Sequence, residues 1–295
     1  LGDLEAALRS YKTAITIKTD YAQAYGNLGA TQADLDVLVE GIKNSKKAIV
    51  LEPRQPLSYF NLGTSRSKVG DLDLSIKSFE RANTLEPEFK NNKLLLKILS
   101  ARRSRKGGEL HPIARETPSL TSKPFITHLE VPQHLISTLT EMKSRGLDTT
   151  PDTRFGNGRC SPDYDFFEDD TAIIRIIAVD LINIMEDAVG SEVFVYDSFF
   201  NIYGSGAGIT RHTHLNNLDR EEAYGLANQK YSLVYYLSVG DQNCSEPGFL
   251  RFHEPDEEIL PDAGMVIIFP ASRAHSAVYG GEKDRVMIGA NFYSI

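Results

Sequence analysis

Three histidines in the C-terminal half of the sequence have the spacing of metal ligands. His212 and His214 are separated by one residue, and His275 follows further along the chain. Side chains alternate between the two faces of an extended strand, so a His-x-His pair places both imidazoles on one face. The two cysteines, Cys160 and Cys244, are too few for a thiolate cluster, so a metal would need histidine and carboxylate ligands. The pattern predicts a metal site where imidazoles from two separate β segments meet.

The elements that must position these histidines are short β segments. Runs rich in β-branched and aromatic residues, bounded by turn residues, occur at 193–203, 231–239, 249–253, 265–269 and 286–293. Several such strands without helices between them are typical of an antiparallel sandwich or barrel. Upstream, the helical spacing of Leu, Ile and Met predicts helices at 131–145 and 171–189 that brace one outer face of the barrel. The expected fold class is an α+β domain with a double-stranded β-helix, or jelly-roll, core.

Residues 190–295 resemble the 2-oxoglutarate- and Fe(II)-dependent oxygenases, particularly the prolyl-hydroxylase-like branch. The resemblance is carried by His275 and by the segments 201–214, 231–237, 248–252, 264–270 and 285–292. Members of that family have a Tyr-x-x-Gly before a His-x-Asp, a Tyr-Tyr-Leu strand, a Gly-x-Leu-x-Phe segment, and a histidine followed by an arginine. The resemblance implies a reaction in which O₂ and 2-oxoglutarate hydroxylate an unactivated C–H bond and release succinate and CO₂.

The same resemblance assigns roles to single residues. It implies that His212 and His275 bind iron and that Arg285 binds the C5 carboxylate of 2-oxoglutarate. These residue types suit the roles, because Fe(II) accepts imidazole ligands and a guanidinium matches a carboxylate with two parallel hydrogen bonds. Tyr203 and Tyr236 align with family positions that hydrogen-bond the cosubstrate.

The last predicted strand has a regular alternation. Met287, Gly289 and Asn291 are expected on the inward face with Arg285, where Gly289 would leave room for the cosubstrate and Asn291 would line its site. The apolar residues between them are expected to face the bracing helices, and they are Val286, Ile288, Ala290 and Phe292.

The chain departs from the family pattern at His214, where the family has a carboxylate ligand. Three interpretations follow: a three-histidine iron site, a ligand drawn from Asp219 or another nearby carboxylate, or a two-histidine site with His214 elsewhere. We favour the three-histidine site. Imidazole in place of a carboxylate makes the site more positive, which should strengthen its attraction for a dianionic cosubstrate.

The first hundred residues repeat with a period of 34. Three sets of positions align at this period: Leu4, Leu38 and Leu72; Ala14, Ala48 and Ala82; and Ile17, Leu51 and Leu85. Apolar spacing within each unit predicts two amphipathic helices, and the 34-residue unit resembles the tetratricopeptide repeat. Because each hairpin buries its apolar face only against a neighbour, the first helix is expected to stack on a segment before Leu1, which is not a Met and lies within a repeat.

These patterns divide the chain into helical repeats at 1–99, a linker at 100–124 rich in Arg, Gly and Pro, and the oxygenase-like domain at 125–295.

Lys and Arg number 32 against 40 Asp and Glu, a net charge of −8, so nucleic acid is not an expected partner. No apolar run approaches the roughly 18 residues needed to cross a bilayer, so no membrane partner is expected. Two cysteines suit a reducing compartment, and we expect a cytoplasmic protein.

The sequence therefore predicts an Fe(II), 2-oxoglutarate and O₂-dependent hydroxylase. Its substrate is expected to be a protein or peptide, with a prolyl residue as the leading specific target and the repeats as scaffold or adaptor. The first alternative is a non-catalytic repeat scaffold whose barrel binds a partner or ligand, and the second is a three-histidine dioxygenase that does not use 2-oxoglutarate. Arg285 separates these hypotheses, because a buried cation is costly unless an anion pairs with it.

Overall fold

The computed structural model describes residues 2–104, 123–149 and 153–295. The described residues form two compact units, one of helices up to residue 104 and one from residue 123 onward. Most of the predicted linker lies outside the described residues, and the predicted boundaries at 99 and 125 stay a prediction. Every helix in the described stretches is too short or too polar to cross a bilayer.

The first unit consists of helical hairpins with the predicted period. Its six helices are α1 (Gly2–Ile17), α2 (Ala22–Asp34), α3 (Leu38–Leu51), α4 (Pro56–Lys68), α5 (Leu72–Leu85) and α6 (Lys90–Ser104). Pro56 begins α4, a position where its missing N–H breaks no helical hydrogen bond. The sixth helix continues past residue 99 to Ser104, because Ala101, Arg102 and Arg103 are good helix formers.

Small residues let the helices of this unit approach one another closely. Ala48 and Ala82, one period apart, are both completely buried. A Cβ on Gly63 would lie 2.7 Å from the Phe79 ring, so only glycine lets α4 pack against α5 here. The repeat therefore reflects a packing requirement that recurs at each hairpin.

The second unit is built from two antiparallel sheets. Its strands are β1 (Phe125–His128), β2 (Arg145–Gly146), β3 (Arg154–Phe155), β4 (Gly158–Cys160), β5 (Val193–Tyr203), β6 (Ala207–His212), β7 (Lys230–Ser238), β8 (Leu250–Phe252), β9 (Glu257–Ile259), β10 (Met265–Pro270), β11 (His275–Tyr279) and β12 (Arg285–Ser294). The larger sheet has the order β1-β10-β7-β12-β5-β4-β2, and the smaller has the order β3-β6-β11-β8-β9. From β5 to β12 the chain passes back and forth between the sheets, which is the jelly-roll topology. The expected fold class is confirmed.

Two helices precede the barrel strands, α7 (Leu135–Glu141) and α8 (Ala172–Val189). The first is shorter than the predicted helix at 131–145, because the chain becomes extended at Met142 and then forms β2, which pairs with β4. The second matches its prediction closely and ends at Gly190, whose φ of +66° is the left-handed conformation that closes many helices.

The alternation predicted for the last strand is confirmed. The even-numbered residues of β12 pack in one apolar core with α7 and α8, and this set contains Val286, Ile288, Ala290 and Phe292. Met287, an odd-numbered residue on the opposite face of β12, packs in a second core between the sheets together with Tyr203 and Tyr236. Arg285 is paired with Tyr203 in the β12–β5 register, so it begins the strand on this inner face.

Candidate metal centre

The three histidines singled out from the sequence come together at one end of the smaller sheet. His212 ends β6, His275 begins β11, and the two residues are directly paired in the β6–β11 register. His214 lies two residues past the end of β6. The ring centroids are 4.3 Å apart for His212 and His275, 4.7 Å for His212 and His214, and 5.0 Å for His214 and His275. One ligand nitrogen from each ring lies within 4.8 Å of the others.

Backbone carbonyls orient two of these rings. The Nδ1 of His212 lies 2.8 Å from the carbonyl oxygen of Thr210, and the Nδ1 of His275 lies 3.2 Å from that of Arg273. Since a carbonyl only accepts, Nδ1 carries the proton in each neutral ring and Nε2 keeps its lone pair. Metal-binding histidines commonly have this arrangement, with one nitrogen donating to a carbonyl and the other facing the ion.

Burial keeps two of the imidazoles neutral. It lowers the pKa of His275 to about 3, with a further contribution from the neighbouring His212. Burial also holds the pKa of His214 well below its usual range, and His275, His212, Lys230 and Arg154 add to that effect. Both rings therefore offer lone pairs at neutral pH, which is the form that binds a metal.

The carboxylate of Asp219, considered as an alternative ligand, is engaged elsewhere. Its Oδ2 accepts hydrogen bonds from Lys230 Nζ at 2.8 Å and from the Asn216 backbone N–H at 2.7 Å, and its Oδ1 accepts from the Tyr293 hydroxyl at 2.5 Å. Within the described part of the chain, the group of side chains close enough to share an ion at this site contains the three histidines and no carboxylate.

Arg285 is deeply buried on the inner face of the barrel, with 2% of its surface exposed. Its Nε, Nη1 and Nη2 donate to the carbonyl oxygens of Val239, Gly248 and Pro247 at 3.3, 2.5 and 2.6 Å. Burial lowers the pKa of this guanidinium. In residues 2–104, 123–149 and 153–295, no carboxylate pairs with it, and the groups that raise its pKa are phenols and a thiol.

Aromatic rings and one glycine enclose this guanidinium. Its Cζ lies 4.7 Å from the Tyr279 ring centroid and 5.8 Å from that of Tyr236. Burial raises the pKa of Tyr236 to about 12, so its hydroxyl stays a hydrogen-bond donor at any physiological pH. Gly248 has a φ of +86°, and a Cβ there would overlap the guanidinium. The glycine is thus required both by its backbone conformation and by the arginine beside it.

Two residues on the inward face of β12 are in contact with other side chains of the protein. The side chain of Asn291 lies between strands, where its Oδ1 accepts from Ser232 Oγ at 2.6 Å and its Nδ2 donates to Asp197 Oδ1 at 2.7 Å. The expectation that Gly289 leaves room for the cosubstrate is wrong, because the Phe199 ring fills that space and would lie 2.5 Å from a Cβ on Gly289. Gly289 therefore makes room for the Phe199 ring and not for a cosubstrate.

The site also contains a cation that sequence reasoning missed. Arg154, on β3, is buried and donates from Nη1 to Asn201 Oδ1 at 2.7 Å and from Nη2 to the Tyr164 hydroxyl at 2.9 Å. Arg154 is paired with Ile209 on β6, the strand that ends at His212. Its charge also contributes to lowering the pKa of His214. A two-residue strand has no periodic pattern, so nothing in the sequence marked this residue.

Comparison with known families bears mainly on the first unit. Residues 1–36 match a family model described as the TPR repeat, and residues 57–89 match one described as the tetratricopeptide repeat. The predicted tetratricopeptide repeats are therefore confirmed. No curated protein matches the chain.

Several solved structures are similar to parts of the chain. The TPR domain of Arabidopsis OM64 is 24% identical, with 36% of this chain and 84% of that chain covered and a TM-score of 0.33. The TPR2B domain of yeast Sti1, in a complex with pHsp70, is 24% identical over 35% of this chain and 86% of that chain, with a TM-score of 0.32. A protein of the 2OG-Fe(II) oxygenase family from Burkholderia pseudomallei is 12% identical over 58% of this chain and 85% of that chain, with a TM-score of 0.41.

Proposed function

We propose that the second unit is a 2-oxoglutarate- and Fe(II)-dependent dioxygenase that hydroxylates an unactivated C–H bond of a protein or peptide. One observation carries the proposal. The inner face of a single jelly-roll barrel combines a group of three imidazoles with a buried guanidinium for which the described residues supply no carboxylate.

The imidazole group fits a divalent ion. Nitrogens bound to one ion at about 2.1 Å lie at most about 4.2 Å apart. The three ligand nitrogens lie within 4.8 Å of one another, which is close to that limit. His212, His214 and His275 would hold the ion, and imidazole is a suitable ligand for iron.

Arg285 fits a dicarboxylate cosubstrate. Removing a guanidinium from water costs several kcal/mol unless an opposite charge compensates for it. A guanidinium has five N–H donors, and three of them are used by the carbonyls of Val239, Pro247 and Gly248. Those bonds fix its orientation and leave two donors for the distal carboxylate of 2-oxoglutarate.

The other residues of the barrel would complete the site. When bound, the iron and cosubstrate supply the oxidising chemistry, which converts O₂, 2-oxoglutarate and a C–H bond into a C–OH group, succinate and CO₂. Tyr236, which keeps its proton, and Tyr203, paired with Arg285 across β12 and β5, would donate to the cosubstrate. The rings of Phe252 and Phe269, which pack beside His275, limit the access of water to it.

Substrate recruitment would fall to the tetratricopeptide repeats, since stacked hairpins provide extended surfaces for binding other chains. We expect a protein or peptide substrate or adaptor there, in the cytoplasm, where the two free cysteines would stay reduced.

A second candidate function has one observation in its favour. Because the metal-capable group in the described residues lacks a carboxylate, the barrel could instead bind a metal and a ligand without turnover.

The test is uncoupled turnover of 2-oxoglutarate. Purified protein is supplied with Fe(II), 2-oxoglutarate and O₂, with and without prolyl-containing peptides, and succinate is measured. We expect succinate from the wild type and little from Arg285→Met. Arg175→Met is the matched control, because Arg175 is an exposed residue of α8 that pairs with Asp170. Metal binding without succinate formation would favour the second candidate.

A further inference from the structure

A buried ion pair of Lys230 and Asp219 adjoins His214, one of the three histidines of the metal-capable group. Lys230 Nζ is 2.8 Å from Asp219 Oδ2, and the two side chains are 2% and 0% exposed. A buried pair adds little net stability, because the loss of hydration offsets the attraction between the charges. What it does provide is a fixed position for the groups that it contacts.

The ammonium of this pair contacts the backbone of a candidate ligand. Lys230 Nζ donates to the carbonyl oxygen of His214 at 2.7 Å. The His214 N–H donates to the Ala271 carbonyl at 2.9 Å, and the Ala271 N–H donates to the Lys230 carbonyl at 2.9 Å. The three residues form a closed ring of hydrogen bonds that holds His214 from both sides.

Asp219 keeps the ammonium in place. Besides Lys230 it accepts from the backbone N–H of Asn216 and from the Tyr293 hydroxyl. These bonds connect the segment that follows β6 to β7 and β12. The carboxylate is therefore an anchor for Lys230, and Lys230 in turn is an anchor for His214.

His214 depends on this support more than the other two histidines do. His212 and His275 belong to paired strands, and a carbonyl orients each ring. His214 lies beyond the end of β6, where the ladder between β6 and β11 no longer fixes it. Its place is set by the bonds that its own backbone makes to Ala271 and Lys230.

We propose that Lys230, paired with Asp219, is the positioning residue that keeps His214 within reach of the ion. The affinity of the three-imidazole group for a divalent metal then depends on a buried ion pair that does not itself touch the metal. This inference deepens the proposed function and rests on the part of it that assigns a metal to the histidines.

The test is a Co(II) titration of metal-free protein, followed by the visible absorption of the bound ion. The variant is Lys230→Met with Asp219→Asn, which removes both charges together and leaves no lone buried carboxylate. We expect its Co(II) affinity to fall by about 10- to 100-fold, the range typical of residues that support metal ligands. Lys230→Arg, which retains a donor and the charge, should recover part of the loss. Thermal unfolding of each variant shows that it is folded.

The same double substitution is then made in the His214→Ala protein, whose two remaining imidazoles still bind Co(II) weakly. If Lys230 acts through His214, the double substitution should change this weak affinity by no more than about twofold. Equal losses in both backgrounds, or no loss in the wild-type background, would overturn the proposal. Failure of the proposed function is distinguishable, since it would leave the Co(II) results intact and remove only succinate formation.

Discussion

His212 and His275 face each other across the β6–β11 pair, with ring centroids 4.3 Å apart. Residues directly opposite each other on antiparallel strands have Cβ atoms about 4.5–5.5 Å apart, so the sheet itself fixes this pair. His214 joins the pair from the segment beyond β6. The group therefore has two imidazoles positioned by the sheet and a third positioned by the segment that follows β6.

Replacing His214 by alanine should weaken binding of Co(II) or Fe(II) by about 100-fold or more, beyond the range typical of residues outside the coordination shell. The reason is the loss of one of three imidazole nitrogens that lie within 4.8 Å of one another. Equilibrium metal titration measures the change. His253→Ala is the matched control, because His253 contacts Ser276 Oγ at 2.9 Å and lies outside the three-histidine group. Unchanged affinity on replacing His214 would remove it from the site.

Lowering the pH should destabilise the metal-free protein. The pKa of His275 is lowered to about 3 and that of His214 well below 6.5, whereas both return to about 6.5 on unfolding. The unfolded chain therefore binds more protons once the pH falls below about 6.5, and the free energy of unfolding decreases as the pH falls. Between about pH 7.5 and about pH 5.5 the His275 imidazole should contribute about 1 kcal/mol, and His214 should add a loss of the same sign. Urea unfolding at the two pH values measures the change.

The control for this pH dependence is the protein with both His214→Asn and His275→Asn. It should show a smaller decrease in unfolding free energy over the same pH interval, since the two buried imidazoles are gone. An unchanged pH dependence would mean that the two rings are not protected from protonation in the folded chain.

Gly248→Ala should lower both stability and cosubstrate affinity. The φ of +86° makes alanine unfavourable by about 1–2 kcal/mol, and the new Cβ would overlap the Arg285 guanidinium. Gly190→Ala is the matched control, with a φ of +66° and no atom within 4 Å of the added Cβ. We expect a higher KM for 2-oxoglutarate in the Gly248 variant alone. Equal effects of the two substitutions on stability and KM would mean that Arg285 is not displaced.

Gly289→Ala should destabilise the protein by about 1–3 kcal/mol, the usual result of adding a methyl group to a filled core. The added Cβ would lie 2.5 Å from the Phe199 ring, which must move to admit it. Adding Phe199→Leu to Gly289→Ala should restore part of the loss in thermal unfolding. Wild-type stability of Gly289→Ala would instead indicate open space in front of this glycine.

The sequence was informative wherever a regular spacing matched a regular element. The 34-residue period identified the helical hairpins, because each one buries the same apolar positions, such as Ala48 and Ala82. Alternation along β12 separated the residues that face α8 from those inside the barrel. The His-x-His spacing identified the histidines that the barrel brings together, since His212 is directly paired with His275.

The sequence was least informative where contacts depend on how segments close in space. Strands as short as β2 and β3 contain too few residues to show alternation, so Arg154 went unnoticed. The Phe199 ring fills the space at Gly289 from a neighbouring strand, and no residue next to the glycine in sequence indicates it. The contact between Lys230 and His214 likewise spans a loop without a repeating pattern.

The position of His214 beyond the end of β6 has a consequence for how such a centre can change over time. His212 and His275 are paired across two strands of the smaller sheet, so substitution of either changes a residue of that sheet. Substitution of His214 changes only a side chain of the segment that follows β6. In the proposed site, the third ligand is therefore the one whose exchange for a carboxylate would disturb the two sheets least. The electronic character of an ion held there would then be open to selection separately from the stability of the protein.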